Sequence, residues 1–228
     1  MLNEWVRPLT VEAIGPFALI FMGAGSIIVT QGGDLVAIAF AHGLAIALMV
    51  AAAGHISGGA YNPAVTLGLV IAQKLPPIKG VAYVGAQLLG ATLAAVALTL
   101  LFPETLTDPV HLGTPALSPD IDAGQGLGIE IILTFFLMYV IFGTAVDKRG
   151  PAMIAPLAIG LTITMDIFAT DGATGAAMNP ARAFGPALID GTWDDHWIYW
   201  VGPGIGAAIA AALYAYVLIP PGQGKQSS

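Results

Sequence analysis

Two stretches of this chain read almost alike: GHISGGAYNPAVTLG at 54–68 and GAAMNPARAFGPAL at 175–188. Each carries the triplet Asn-Pro-Ala, at Asn62-Pro63-Ala64 and Asn179-Pro180-Ala181, and each triplet opens a short apolar run. Proline is pre-set for the first position of a helix, where its missing N–H costs nothing. The asparagine before it falls at the N-cap, beside unsatisfied backbone donors and the positive end of the helix dipole. Two such helix starts in one chain imply two positive ends facing each other. A pore built around them favours neutral, hydrogen-bonding solutes and resists cations.

Composition puts this arrangement in a membrane. Only 9% of the 228 residues are charged and the mean hydropathy is +0.83, outside the range of soluble globules. The absence of cysteine excludes disulfides, thiolate metal sites and cysteine nucleophiles. The seven Lys and Arg residues form no basic stripe, so nothing supports a nucleic-acid partner. Nor does the chain spell a nucleophile–base pair or a metal cluster, and no enzyme, metal or cofactor is implied. Residues 1–8 lack a cleavage site and read as the start of a retained first span.

A bilayer core takes about 20 apolar residues per helix. Six segments qualify: 9–29, 35–54, 80–102, 126–146, 152–169 and 197–219. Two further runs, 63–72 and 180–189, are too short to cross and follow the Gly-rich stretches GHISGG and DGATGAA. Irregular backbone at membrane depth survives only where it is buried in protein or lines a cavity, so both are expected to be re-entrant half-helices. The halves repeat: Glu12 lies 50 residues before Asn62, and Glu130 lies 49 before Asn179. Three spans per half turn the second half upside down. The expected fold is therefore an all-α membrane protein, one channel domain over 1–228, with inverted halves at about 1–102 and 126–219.

Loop charges orient it. Arg7, Lys74, Lys79, Lys148, Arg149 and Lys225 fall on one side of this topology, which the positive-inside rule makes cytoplasmic, together with both termini. The opposite side collects Asp34, Glu104, Asp108, Asp120, Asp122, Asp171, Asp190, Asp194 and Asp195. The seventh cation, Arg182, lies inside a half-helix, where a charge is costly and marks function. The Pro-, Gly- and Asp-rich 103–125 reads as an extracellular linker, and 220–228 as a disordered cytoplasmic tail. Trp5, Trp193 and Trp197 sit near span ends, as interface anchors do.

The paired motifs, with arginine directly after the second and HWIYWVGP (196–203) opening the last span, resemble those of the aquaporins, the major intrinsic protein family. The resemblance covers nearly the whole chain. It implies six tilted helices and two half-helices meeting mid-membrane, one pore per subunit and a homotetramer, in a cell (plasma or inner) membrane. It also implies a water channel in which the Asn62 and Asn179 amides orient a passing water and break the proton-hopping chain. Arg182 is then placed in a narrow outer filter, completed by His42, Ile167 and Ala176, which stand 20 residues before Asn62, 12 before Asn179 and 3 before Asn179. This set resembles that of plant tonoplast intrinsic proteins. Strictly water-selective members pair an aromatic residue with a histidine, so the set implies room for ammonia, hydrogen peroxide or urea. Glycerol-conducting members carry aspartate after the filter arginine; this chain has Ala183.

Glu12 and Glu130 read as acceptors for the backbone N–H groups of the two re-entrant loops, with a proton-relay pair as the alternative. His111, in the long outer loop, reads as a solvated residue, with folding over the outer mouth as the alternative; the residues give Asp166 no role, and the outer vestibule or a subunit contact are its candidate surroundings. His55 is expected to bond within its loop, and Gly202 and Gly206 to serve close helix packing. The rival functions are a glycerol or small-solute facilitator of the same fold, an ion-coupled carrier using these acids, and a structural junction protein.

Overall fold

A computed structural model describes residues 2–219, and among these it contains helices and loops only. A π-helical turn, Leu2–Val6, leads into α1 (Arg7–Thr30). There follow α2 (Leu35–Ser57), the short α3 (Pro63–Ile71), α4 (Pro77–Leu101) and a one-turn α5 (Glu104–Thr107). The second half comprises α6 (Ala123–Ile141), α7 (Ala155–Thr174), the short α8 (Pro180–Asp190) and α9 (Ile198–Leu213). With their flanking turns, six helices are long and apolar enough to cross a bilayer. Large apolar side chains such as Leu100 (79% exposed) and Val81 (71%) face outward, as a lipid-bathed surface requires.

The packing obeys the repeat. α1 lies on α4 as α6 lies on α9, α1 on α2 as α6 on α7, and α2 packs against α7 across the middle. Each half-helix packs on the third long helix of the opposite half, α3 on α9 and α8 on α4. Paired glycines permit these crossings, because lipid tails supply no hydrophobic drive and close backbone contact must hold the helices together. A Cβ at Gly90 would lie 1.9 Å from the Ala13 carbonyl oxygen, and one at Gly206 would lie 2.2 Å from that of Ile131, which is the same contact in the other half. Gly43 and Gly160 abut each other across α2 and α7 in the same way. Gly202 leaves the space that the Glu130 side chain occupies, since a Cβ there would come within 2.7 Å of the Glu130 Cβ.

Helix ends depart from the hydropathy reading in an informative way. The span expected to stop at 169 continues to Thr174, and the one expected to stop at 54 continues to Ser57. Hydropathy falls in these last turns, but the helical hydrogen bonds continue until Gly58 (φ 98°) and Gly175 (φ 73°) close them in the left-handed conformation. His55 accordingly stands exposed on the last turn of α2 and not in a loop. The linker 103–125 is partly helical: α5 runs into a 3-10 turn, Asp108–Gly113, whose Leu112 and Gly113 are buried. At the other face Arg149 forks onto Asp147 (Nε to Oδ1 2.9 Å) and donates from Nη2 to the Leu218 carbonyl (2.9 Å), tying the α6–α7 loop to the end of the last span. Bonds from Arg149 hold the Asp147 carboxyl down at about 2. The tail 220–228, with Lys225, lies outside the described residues.

Gly206→Ala should cost about 1–3 kcal/mol, because its Cβ must separate α6 from α9. In thermal unfolding of the detergent-solubilised protein, Gly206→Ala should lower the midpoint by several degrees. Gly204→Ala, whose Cβ would have its nearest neighbour at 3.7 Å, should leave it unchanged. Equal shifts for the two variants would contradict this packing account.

Candidate functional site

The two short helices begin at the same depth, cap to cap. Asn62 and Asn179 both have extended backbones (φ −155° and −147°) and cap their own helices. Asn62 Oδ1 accepts from the N–H groups of Ala64 (2.8 Å) and Val65 (3.4 Å), and Asn179 Oδ1 from those of Ala181 (2.9 Å) and Arg182 (3.4 Å). With the acceptor side committed, each amide has two N–H bonds left. Asn62 Nδ2 donates one to the Met178 carbonyl (2.8 Å), and Asn179 Nδ2 donates one to the Tyr61 carbonyl (3.0 Å). The caps are thus cross-stitched, each to the residue just before the other. One N–H per asparagine remains, and both asparagines line a common cavity.

Two buried carboxylates set the loops that lead to these caps. Glu12, on α1, accepts from the N–H groups of Ala60 (3.1 Å) and Tyr61 (2.8 Å), from the Ser57 hydroxyl (2.6 Å) and from Gln87 Nε2 (2.8 Å). Glu130, on α6, accepts from the N–H groups of Ala177 (2.9 Å) and Met178 (2.8 Å) and from the Thr174 hydroxyl (2.8 Å). Ser57 and Thr174 are the last residues of α2 and α7, and each also accepts the next free loop N–H, from Gly59 (3.0 Å) and Ala176 (3.1 Å). A trans peptide points its carbonyl opposite to the N–H that it shares. Pinning the N–H groups of residues 60, 61, 177 and 178 on the carboxylates therefore turns the carbonyls of Gly59, Ala60, Ala176 and Ala177 away from them, and these four residues line the cavity. Tyr83 and Tyr199 brace the loop origins by donating to the Ser57 (2.7 Å) and Thr174 (2.9 Å) carbonyls.

The cavity is narrow, with a volume of about 30 Å³, and has two kinds of wall. One is polar: the two asparagines, the loop residues, His42 and Arg182. The other is apolar and includes Leu19, Ile46, Val65, Leu137, Ile163 and Ile167. A second space of about 200 Å³ shares Gly59, Ala60, Val65, Ile141 and Ile159 with it and extends past Ser57 and Tyr83 to Lys74. The two spaces adjoin along these shared residues.

His42, Ile167, Ala176 and Arg182 all meet in this cavity. Arg182 is 3% exposed, follows directly on the Asn179 cap, and donates from Nη1 to the Gly113 carbonyl (2.7 Å), while its Nε has no protein partner. Gly113 belongs to the linker turn, and its φ of 72° and its close approach to Ala24 both require glycine. His42 Nδ1 bonds the Ile38 carbonyl (2.8 Å), so it carries the proton, and the buried Nε2 is left without a partner. This part of the cavity thus offers a cationic donor group, Arg182, and an acceptor atom, His42 Nε2, against apolar surface.

His111 follows the solvated reading: its side chain is 66% exposed, with Nδ1 3.4 Å from Asp190 Oδ2 at the far end of α8. Left-handed backbone at His111 and Leu112 turns the loop so that Leu112 and Gly113 go inward while the imidazole stays out. Asp166 does not lie on the surface: it is buried (2% exposed), with Oδ2 unpartnered. Sequence reasoning missed Ser57 with Thr174 and Tyr83 with Tyr199, although their spacings of 117 and 116 match the repeat. Gly113 carried no such signal, because its role depends on the linker's path.

The sequence profile of the family described as Major intrinsic protein matches residues 2–214. Aquaporin TIP4-4 of Zea mays is 43% identical over 92% of this chain and 85% of its own length. Aquaporin-4 of Rattus norvegicus is 42% identical over 94% of this chain and 68% of its own. The X-ray structure of the aquaglyceroporin from Plasmodium falciparum superposes with a TM-score of 0.87 at 27% identity, covering 94% of this chain and 97% of that one. On the fold, the paired caps and these similarities, the chain belongs to the major intrinsic protein family.

Proposed function

We propose that the chain is a passive channel for water that also admits small neutral solutes and excludes protons and ions. The observation that carries this reading is the pair of cross-stitched caps, each with one amide N–H left over on a shared file. Water entering between them donates nothing to these groups and accepts from both, so its own hydrogens point along the file in opposite directions. A proton hopping through would need a water that accepts from one neighbour and donates to the next, and here that relay is cut. The two positive helix ends add a barrier to any cation, hydronium included. The loop carbonyls replace the hydrogen bonds that water leaves behind in bulk, while the apolar wall keeps it from sticking.

Arg182 supplies the second barrier and a fixed donor; His42 Nε2 supplies the facing acceptor. Ile167 and Ala176 contribute no hydrogen bond from their side chains, which favours a filter that admits ammonia, hydrogen peroxide or urea beside water. The family resemblance to the aquaglyceroporin supports a glycerol facilitator as the second reading, but Ala183 in place of an aspartate argues for water as the principal substrate. Glu12 and Glu130 serve as loop supports in this reading: each is engaged by three or four donors of the re-entrant loops and their neighbours, which favours this role over a proton relay. The family, the lipid-facing surface and the charge asymmetry support a homotetramer with cytoplasmic termini and the 103–125 linker outside, in a plasma or inner membrane. No cofactor enters this account.

In proteoliposomes under an osmotic step, the protein should accelerate shrinkage. The activation energy should be far below the cost of stripping several hydrogen bonds, each worth about 4–6 kcal/mol in an apolar medium. A rate no faster than that of empty vesicles, or one that follows a proton gradient, would overturn the proposal. Replacing Arg182 by Val should raise proton or cation leak several-fold with water flux retained. An unchanged leak would remove Arg182 from the barrier.

A further inference from the structure

We propose that Gly23 on α1, a residue outside the pore lining, sets the width of the filter by giving the His42 ring a seat withdrawn from the pore. This rests on the filter assignment made above. A Cβ built on Gly23 would lie 2.4 Å from His42 Cδ2, 2.5 Å from Nε2 and 2.8 Å from Cε1, so the imidazole occupies the place where a side chain at 23 would stand. The ring is fixed from its other side by the 2.8 Å bond from Nδ1 to the Ile38 carbonyl. It is 3% exposed and borders the cavity, whereas Gly23 does not.

The repeat supplies an independent comparison. Counting on by the spacing that relates Glu12 to Glu130, position 23 corresponds to Ile141; by the spacing that relates the asparagines, His42 corresponds to Ile159. Both isoleucines line the cavity. In the second half, the helix position equivalent to 23 therefore carries a pore-lining side chain of its own. In the first half that position is emptied, and the histidine from α2 lies back into it.

Adding even one methyl group at 23 requires the ring to retreat by about 1 Å to reach ordinary contact distance. The α1 backbone closes the rear and the Ile38 tether restrains the Cγ–Nδ1 edge, so the free direction is towards the cavity. The expected consequence is a narrower aperture with every pore-lining residue unchanged. Solutes larger than water lose most, because a file one water wide tolerates less intrusion from a bulkier solute.

The test compares wild type, Gly23→Ala, His42→Ala and the double variant in proteoliposomes, with Gly25→Ala as a control whose Cβ would meet only Leu98 Cδ2 at 3.5 Å. Water permeability is measured beside that of ammonia, hydrogen peroxide, urea and glycerol, normalised to inserted protein. For the largest solute that wild type passes, Gly23→Ala should lower the solute-to-water ratio about tenfold, and Gly25→Ala should leave it alone. In the His42→Ala background, Gly23→Ala should have no effect on the ratio. Equal losses of water and solute, or the same loss with and without His42, would make Gly23 a packing residue and overturn the proposal, as would a wild type that passes none of the four. If Gly23→Ala and Gly23→Ser fail to assemble while their His42→Ala doubles do, the ring cannot yield towards the pore and the proposal also falls. An unchanged ratio in His42→Ala alone would instead overturn the filter assignment on which it rests.

Discussion

The structure depends on two side-chain amides that each bond to the backbone just ahead of the other. Asn62 reaches the Met178 carbonyl and Asn179 reaches the Tyr61 carbonyl, and these contacts join two half-helices that share no covalent neighbourhood. Tyr61 and Met178 both hold left-handed backbones (φ 51° and 52°), a conformation that costs energy for residues other than glycine. The strain is tolerated because each residue is fixed at both ends: its N–H lies on a buried carboxylate and its carbonyl on the opposing asparagine. Neither half can form this centre without the other.

A non-helical backbone in the middle of a membrane has no water to satisfy it, so its donors need dedicated acceptors. Glu12 and Glu130 meet that need, and hydrogen bonds to charged groups contribute about 1.5–3 kcal/mol each. Their engagement differs between the halves. Glu12 takes a fourth donor, Gln87, which also bonds Thr66 Oγ1 (2.9 Å); the positions corresponding to Gln87 and Thr66 in the second half are Pro203 and Ala183. The second half makes its additional link through Arg182, the residue after the cap triplet, which reaches out to Gly113 in the linker. The repeat is thus symmetric in the bonds that hold the loop backbone and asymmetric in the additional links that each half makes.

The fold was legible in the sequence because its determinants are local. Two triplets, six apolar segments of spanning length and two acids at matching offsets define the topology without any knowledge of packing. Helix ends were less legible: hydropathy marks where a segment leaves the apolar zone, whereas Gly58 and Gly175 mark where the hydrogen bonding stops, up to five residues later. Apolar periodicity gave no help with orientation, since the faces towards lipid and towards protein are both apolar. For the site, residues tied to the repeat register were within reach of sequence reasoning. Gly113 was not, because left-handed backbone at 111 and 112 is what turns it inward.

The most direct test of the central claim is neutron diffraction from a deuterated crystal at a resolution that locates hydrogens at the two caps. The account predicts one deuteron of each Asn62 and Asn179 amide on the opposing backbone carbonyl, and the other directed at a shared water whose own deuterons point away from both. Amides with both deuterons bonded within the protein, or a water at the midpoint that donates to an asparagine, would contradict it.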